Sequence, residues 1–483
     1  MADRSSSGRA SSGTASSRRG RTSSHGARPT KGEAPLDREL DVTSLAPGGA
    51  GVARFEGRVL LVAGAAPGDR VLARMAQGSA ARVLRVISAG PDRIEVPCRV
   101  ADTCGGCDWM HIAPAARRQA YARNASEMIA HALGVPAAQL PEPTVHAADR
   151  DLGYRTRARL LVRAERRGVR VGFRAAGSRD LVAMGSCVVL APGLEGVAAA
   201  IERALAGSRG EGDANVALGR TGDGARGLSA PGTRAPVVDL AWRGELAPAA
   251  FAALDAHVQT GAWAGARVTL EGVSAPAVFG DPRPVMTAAD GAPLVVAEGG
   301  FAQPSEEGGR RLAARVAALG EAEGKHVLEL FAGSGTLSVL LARGAASFLG
   351  VEQHEPAVRA ARENFAARGL TGKLVAADAE LYPIPPRTEL VVLDPPRTGA
   401  REASRAIARA RPRRVVYVSC DAATLARDLA VLCGGAGAGK DTSAPGSGPY
   451  AVASIDVFEL FPQTSHFETV VALVRAPRGR AVS

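Results

Sequence analysis

The stretch HVLELFAGSGTLSVLLARGAASFLGVE, residues 326–352, decides the fold. It opens with a short apolar run, His326 to Leu330, that leads into a turn holding Gly333 and Gly335. A helical stretch follows, then FLGVE, a second apolar run closed by Glu352. Strand, glycine turn, helix and strand make one βαβ unit, and glycines in that turn permit close approach of a ligand. The alternation continues through KLVAAD, LVVLDPP and VVYVSC, with EPAVRAARENFAARG among the helices, which predicts a doubly wound parallel sheet. After the fifth strand come a helix, a Gly-rich loop from Gly434 to Gly448, then YAVASIDVFEL and ETVVALVR. Two final strands with no helix between them predict a hairpin at the sheet edge.

That arrangement resembles the Rossmann-like class I S-adenosylmethionine methyltransferases, whose last strand runs antiparallel beside the fifth. The dinucleotide fingerprint is not met, because Ser338 stands where its third glycine belongs, and this counts against a pyrophosphate cofactor. Glu329, near the end of the first strand, suits the cationic amino-acid part of S-adenosylmethionine. Glu352 ends the second strand, where a carboxylate can accept both ribose hydroxyls, and Asp378 ends the third, where it can meet the adenine edge. One acidic strand end is ordinary solvation. Three in succession beside a Gly-x-Gly turn point to a nucleoside cofactor.

The chemical end follows from the same topology. In LDPPRTG, Asp394 leads into Pro395 and Pro396, a stiff turn that can hold a planar substrate against the cofactor. Cys420 closes the fifth strand, beside Asp394 on the fourth, and Glu468 opens the antiparallel last strand at that same rim. A thiol and two carboxylates beside a methyl donor suit methylation of an unactivated pyrimidine carbon. Thiolate addition to carbon 6 of uracil makes carbon 5 nucleophilic, and a base must then take the carbon 5 proton. Cys420 fits the nucleophile and Glu468 the base. A free cysteine is more often a small buried apolar residue. That reading suits Cys433 in DLAVLCGG, but not Cys420 in the polar SCD at a strand end. Exocyclic amine methylation would call for an aromatic after Pro396, where Arg397 stands, and would leave Cys420 and Glu468 unemployed. The non-enzymatic alternative is an RNA-binding protein with a degenerate methyltransferase fold.

LDPPRTG, YVSCDAATLARDL and FPQTSHFETV, in that order, resemble the RNA 5-methyluridine methyltransferases, a family with transfer-RNA and large-subunit ribosomal-RNA members. The resemblance implies Cys420 as nucleophile and Glu468 as general base. It implies cofactor contacts at Gln303, Phe331, Thr336, Glu352, Asp378 and Asp394. Two departures stand out: the family's Phe-x-Gln-Val-Asn reads FAQPS here, and Thr336 replaces a common Asn.

Upstream, VPCRVADTCGGCDWMHI spaces Cys98, Cys104 and Cys107 as C-x5-C-x2-C, with Cys187 much later, a set that could hold zinc or an iron–sulfur cluster. The family resemblance of CGGC followed by His favours a 4Fe-4S cluster, as a structural staple. Short β-rich runs from residue 38 to 97 predict a small all-β, OB-like barrel, which resembles the TRAM module of these enzymes. An α+β central domain, 98–290, would carry the cysteines and a Gly-rich insertion near 206–236, and the methyltransferase domain would span 291–483. In YRTRARLLVR, Arg155, Arg157, Arg159 and Arg163 fall at period two, as on a basic strand face or an ordinary solvated one. The formal charge of +11 favours a polyanionic partner. Residues 1–37 read as a disordered basic tail rather than a secretory signal. With no apolar run of ~18 residues to span a membrane, the expected compartment is the cytoplasm. The expected partner is RNA, 23S rRNA before tRNA, and a monomer is the default.

Overall fold

The computed structural model describes residues 36–220, 233–435 and 448–476. The expected basic tail, apart from its last two residues, and most of the 434–448 loop lie outside them. Five strands, β1 (Asp37–Leu45), β2 (Gly51–Phe55), β3 (Arg58–Ala63), β4 (Arg70–Met75) and β5 (Ala80–Ser88), close into a barrel in the order β1-β2-β3-β5-β4. Alternation along each strand does this: Leu40, Val42, Leu60, Val62, Val71 and Ala73 point inward. Asp69, in the turn before β4, is fully buried and is satisfied by the amides of Ala66 and Gly90 and by Arg93.

Helix α1 (Pro114–Leu133) and the short strand β6 (Thr144–His146) come next. A seven-stranded sheet follows, built from β7 (Arg157–Glu165), β8 (Gly168–Arg174), β9 (Leu181–Ala183), β10 (Arg209–Arg220), β11 (Arg234–Glu245), β12 (Gly265–Leu270) and β13 (Ala277–Gly280), in the order β13-β12-β11-β10-β7-β8-β9. Helices α2 (Val197–Ala204) and α3 (Pro248–Gln259) share a core with it through Val197, Ile201, Leu254, Leu160 and Trp242. The Gly-rich segment expected as a surface insertion over 206–236 is, in its described part, the facing ends of β10 and β11, paired from Arg209↔Glu245 to Arg220↔Arg234. Residues 221–232 lie outside the described residues. The glycines misled because they mark close strand approach rather than turns: a Cβ on Gly212 would sit 2.2 Å from the Ala241 carbonyl oxygen.

Of the two readings open for the arginines of β7, one open basic face is not what forms. Arg157 donates to the carbonyls of Gly300 and Ala302, Arg159 pairs with Asp213 at 2.7 Å, and Arg163 donates to the Arg179 carbonyl.

A two-stranded ladder, β14 (Val285–Thr287) with β15 (Pro293–Val295), leads to the terminal α/β layer. Its elements are α4 (Glu306–Gly320), β16 (His326–Leu330), α5 (Ser338–Leu341), β17 (Ser347–Glu352), α6 (Glu355–Ala366), β18 (Lys373–Ala376), β19 (Leu390–Leu393), α7 (Arg401–Ala410), β20 (Arg414–Ser419), α8 (Ala422–Cys433), β21 (Tyr450–Phe458) and β22 (Glu468–Arg475). The strand order is β18-β17-β16-β19-β20-β22-β21-β6, with β22 antiparallel to both neighbours. Central strands such as β19, buried at every residue, are apolar throughout because helices cover both faces. The C-terminal hairpin is not the sheet edge as expected: β6, from the first third of the chain, adds in parallel beyond β21. Residues of α1, including Ala125, Ile129 and Leu133, share a core with Leu425, Leu429 and Tyr450. Residues 114–146 therefore complete the terminal layer.

Candidate active site

The rim of the terminal sheet carries one cleft, about 820 Å3, lined by Gln303, Glu329, Phe331, Thr336, Glu352, Asp378, Asp394, Arg397, Cys420 and Glu468 among others. Its size falls in the range of small-molecule sites. At one end Glu352, closing β17, accepts from the amides of Gly333 (3.0 Å) and His354 (2.7 Å), which fix its carboxylate while leaving lone pairs for ligand hydroxyls. Asp378 stands two residues past β18 and accepts from the Glu380 amide. Phe331 follows β16 with φ at 62°, a left-handed conformation costly for a bulky residue, and it aims the turn of Gly333 and Gly335. Glu329 is buried and accepts from Ser338 Oγ at 2.6 Å, and burial lifts its carboxyl to about 8.

At the other end the sheet register brings distant residues together. Ser419 pairs with Thr469 across β20 and β22, so Cys420, one residue on, stands opposite Glu468. Asp394 follows β19 on the other side of β20. Glu468 is buried; Gln303 hydrogen-bonds its carboxyl, and one oxygen, Oε2, has no partner among protein atoms. Burial, reinforced by Asp394, holds the Glu468 carboxyl well above the usual range, and burial lifts Asp394 to about 7. The Cys420 thiol is pushed up to about 11 by burial, Glu468 and Asp394, while the positive charge of Arg397, and then its hydrogen bond, pull it back. These carboxyls are poised for a cation: a positive ligand in the cleft would draw protons off them. The cleft thus has the acids, the glycine turn and the room that a sulfonium nucleoside needs.

Two contributors went unread in the sequence. Arg397 counted there only as a missing aromatic, though a guanidinium one residue past a Pro-Pro turn faces whatever that turn presents. Ser338 counted only as a missing glycine, yet its hydroxyl holds Glu329. Ser305, part of the departure from the family pattern, caps α4 by accepting from the Gly308 amide at 3.1 Å, the job an Asn would do.

Cys98, Cys104, Cys107 and Cys187 line a second, largely apolar cavity together with Met110, Arg155, Phe173 and Met184. Burial raises the Cys107 thiol to about 12 and raises that of Cys104 as well. Among the described residues, no group of three or more His, Cys, Asp or Glu side chains could hold a metal ion as placed. Cys433 is buried in the core of α8 and the sheet.

Sheet order, reversed last strand and acid-lined cleft together define a class I methyltransferase. A family model described as conserved hypothetical protein 95 matches residues 310–424. The chain is 32% identical over 461 residues to a 23S rRNA (uracil(1939)-C(5))-methyltransferase of Chromohalobacter salexigens, covering 92% of this chain and 91% of that one. It is likewise 32% identical to an uncharacterised RNA methyltransferase of Gloeobacter violaceus, over 90% and 96% of the two chains. The crystal structure of a Pyrococcus abyssi tRNA (uracil-54, C5)-methyltransferase with S-adenosyl-L-homocysteine superposes with a TM-score of 0.65 at 18% identity, covering 90% of this chain and all of that one. The chain belongs to the RNA uracil-C5 methyltransferase family. Among the described residues no helix is long and apolar enough to cross a membrane.

Proposed function

We propose that this enzyme methylates carbon 5 of a uridine in structured RNA, 23S rRNA first, in the cytoplasm, through a covalent bond between Cys420 and the base. The opposition of Cys420 and Glu468 across β20 and β22, with Asp394 and Gln303 beside them, is the observation that supports this most. Bound S-adenosylmethionine would supply an electrophilic methyl group. Glu352, Asp378, Phe331 and Thr336 would hold its nucleoside part, and Glu329 and Asp394 would face its cationic part. The Cys420 thiolate, helped by Arg397, adds to carbon 6, and the displaced pair makes carbon 5 nucleophilic toward the methyl. Gln303 and Asp394 orient the ring. Glu468 then takes the carbon 5 proton, the ring double bond re-forms, and the carbon–sulfur bond breaks to return the thiolate. The uridine must leave its stack first, at a cost of a few kcal/mol. The names of relatives at 32% identity favour 23S rRNA as substrate. The barrel, as a TRAM module, would add sequence-tolerant RNA contact.

The four upstream cysteines would hold a 4Fe-4S cluster. Their convergence on one cavity supports this. Protein purified without oxygen should then be brown and carry iron; a colourless protein with stoichiometric zinc would refute it.

The decisive experiment uses RNA bearing 5-fluorouridine. Fluorine cannot leave as a proton, so a methylated protein–RNA adduct should survive denaturing electrophoresis, and Cys420→Ser should abolish it. No adduct from the unaltered enzyme, on 23S rRNA or tRNA fragments, would sink the covalent route.

A further inference from the structure

Glu468 opens β22, and the loop before it, ELFPQTSHF (Glu459–Phe467), is held by segments that take no part in the chemistry. Three successive residues of that loop are pinned through the backbone. The Trp109 amide donates to the Gln463 carbonyl at 3.0 Å, the Tyr121 hydroxyl to the Thr464 carbonyl at 2.6 Å, and the Ser465 amide to Asp108 Oδ1 at 2.8 Å. An aromatic column runs beside them. Trp109 stacks on Tyr121 with centroids 5.3 Å apart, and Tyr121 packs on Phe467, the residue next to Glu468, at 5.2 Å. The barrel joins this clamp: Trp109 Nε1 donates to the Gly49 carbonyl, and a Cβ on Gly49 would meet Ser465 at 3.1 Å. A general base must lie within hydrogen-bond reach of the proton it takes, and a misplacement of about 1 Å can cost on the order of 10²-fold.

We infer that Asp108, Trp109 and Tyr121 are positioning residues: they clamp residues 463–465 and thereby set where the Glu468 carboxyl stands. The inference rests on the covalent reading above and gives it a distinctive signature. Attachment by Cys420 and methyl transfer come before the base acts. Only afterwards does Glu468 take the carbon 5 proton so that the electron pair can return to the ring and expel the thiolate. A loosened clamp therefore leaves methylated RNA fastened to the protein. A merely structural contact would lower every step together.

The test is a single-turnover reaction on ordinary uridine-containing RNA with S-adenosylmethionine labelled in its methyl group, resolved by denaturing electrophoresis. Asp108→Ala and Tyr121→Phe should transfer methyl within about two-fold of the unaltered enzyme. They should release methylated RNA about ten-fold or more slowly, accumulating the adduct, as a base loses part of its 10²–10⁴ contribution. Asp108→Asn, which keeps the acceptor oxygen, should release normally. Tyr121→Phe retains the ring stack and carries the test should Asp108→Ala fail to fold. Release at the unaltered rate in the variants, or methyl transfer falling in step with release, would overturn the inference. Failure of the unaltered enzyme to form any adduct with 5-fluorouridine RNA would instead remove the covalent reading beneath it.

Discussion

At the scale of single residues the cleft is a store of neutral acids. Glu329 and Asp394, lifted by burial to about 8 and about 7, hold protons near neutrality that a bound cation would expel. The sign follows directly: binding that releases protons strengthens as pH rises. The affinity for S-adenosylmethionine should therefore tighten from pH 6 to about 8 and level off above, where the carboxyls are already ionised. Titration calorimetry in two buffers of different ionisation enthalpy should register proton release near pH 7. Release should be smaller with S-adenosylhomocysteine, whose sulfur is uncharged. Glu329→Gln should diminish the release and weaken binding, yet raise the thermal midpoint of the ligand-free enzyme at pH 8, because it removes a buried acid that ionises at a cost. At the chemical end, Glu468→Gln should leave a slowly released adduct even on ordinary uridine.

Secondary-structure elements differ in how openly the sequence declares them. The parallel strands are legible because each is an apolar run leading to a residue that lines the cleft, as VVYVSC does, and because the helices between carry their own period: Ala357, Val358, Ala361 and Phe365 lie on the buried face of α6. Six of the eight residues expected around cofactor and substrate reach one cleft because the chain alternates strand and helix, which puts the carboxyl ends of β16 to β20 at the same rim. Glu468 joins them from the amino end of the reversed β22, and Gln303 from the loop before α4. Strand β6 is illegible. Three residues, Thr-Val-His, have no period, and what makes them a strand is the unpaired edge of β21 far along the chain. The β7 arginines differ again, since their spacing is plain in the sequence but their partners, Asp213 and three loop carbonyls, are not. The departure at Pro304 and Ser305 has a measurable consequence for α4. Ser305→Ala should cost about 1 kcal/mol in urea unfolding and Ser305→Asn close to nothing, because both Ser and Asn cap a helix well.

Across the whole molecule one buried cation ties together segments far apart in the chain. Arg117 is fully buried and bonds Glu459 at 3.2 Å, Asp151, and the Ile112 carbonyl, and so joins α1 to the loop that leads into β22. Arg117→Met would leave Glu459 buried without its main counter-charge. Its expected cost is about 3–5 kcal/mol, read as a shifted urea midpoint at unchanged slope.

The pairing of β6 with β21 orders events in time as well as in space. His146 meets Asp456, 310 residues later in the chain. At elongation rates of about 5–20 residues per second, Thr144–His146 emerges from the ribosome roughly 15 to 60 s before its partner strand exists. Nascent chains stalled short of β21 should be cut by protease near residue 146, and the finished protein should resist there. Synthesis to nearly the last strand is thus a precondition for closing the sheet that carries the cleft.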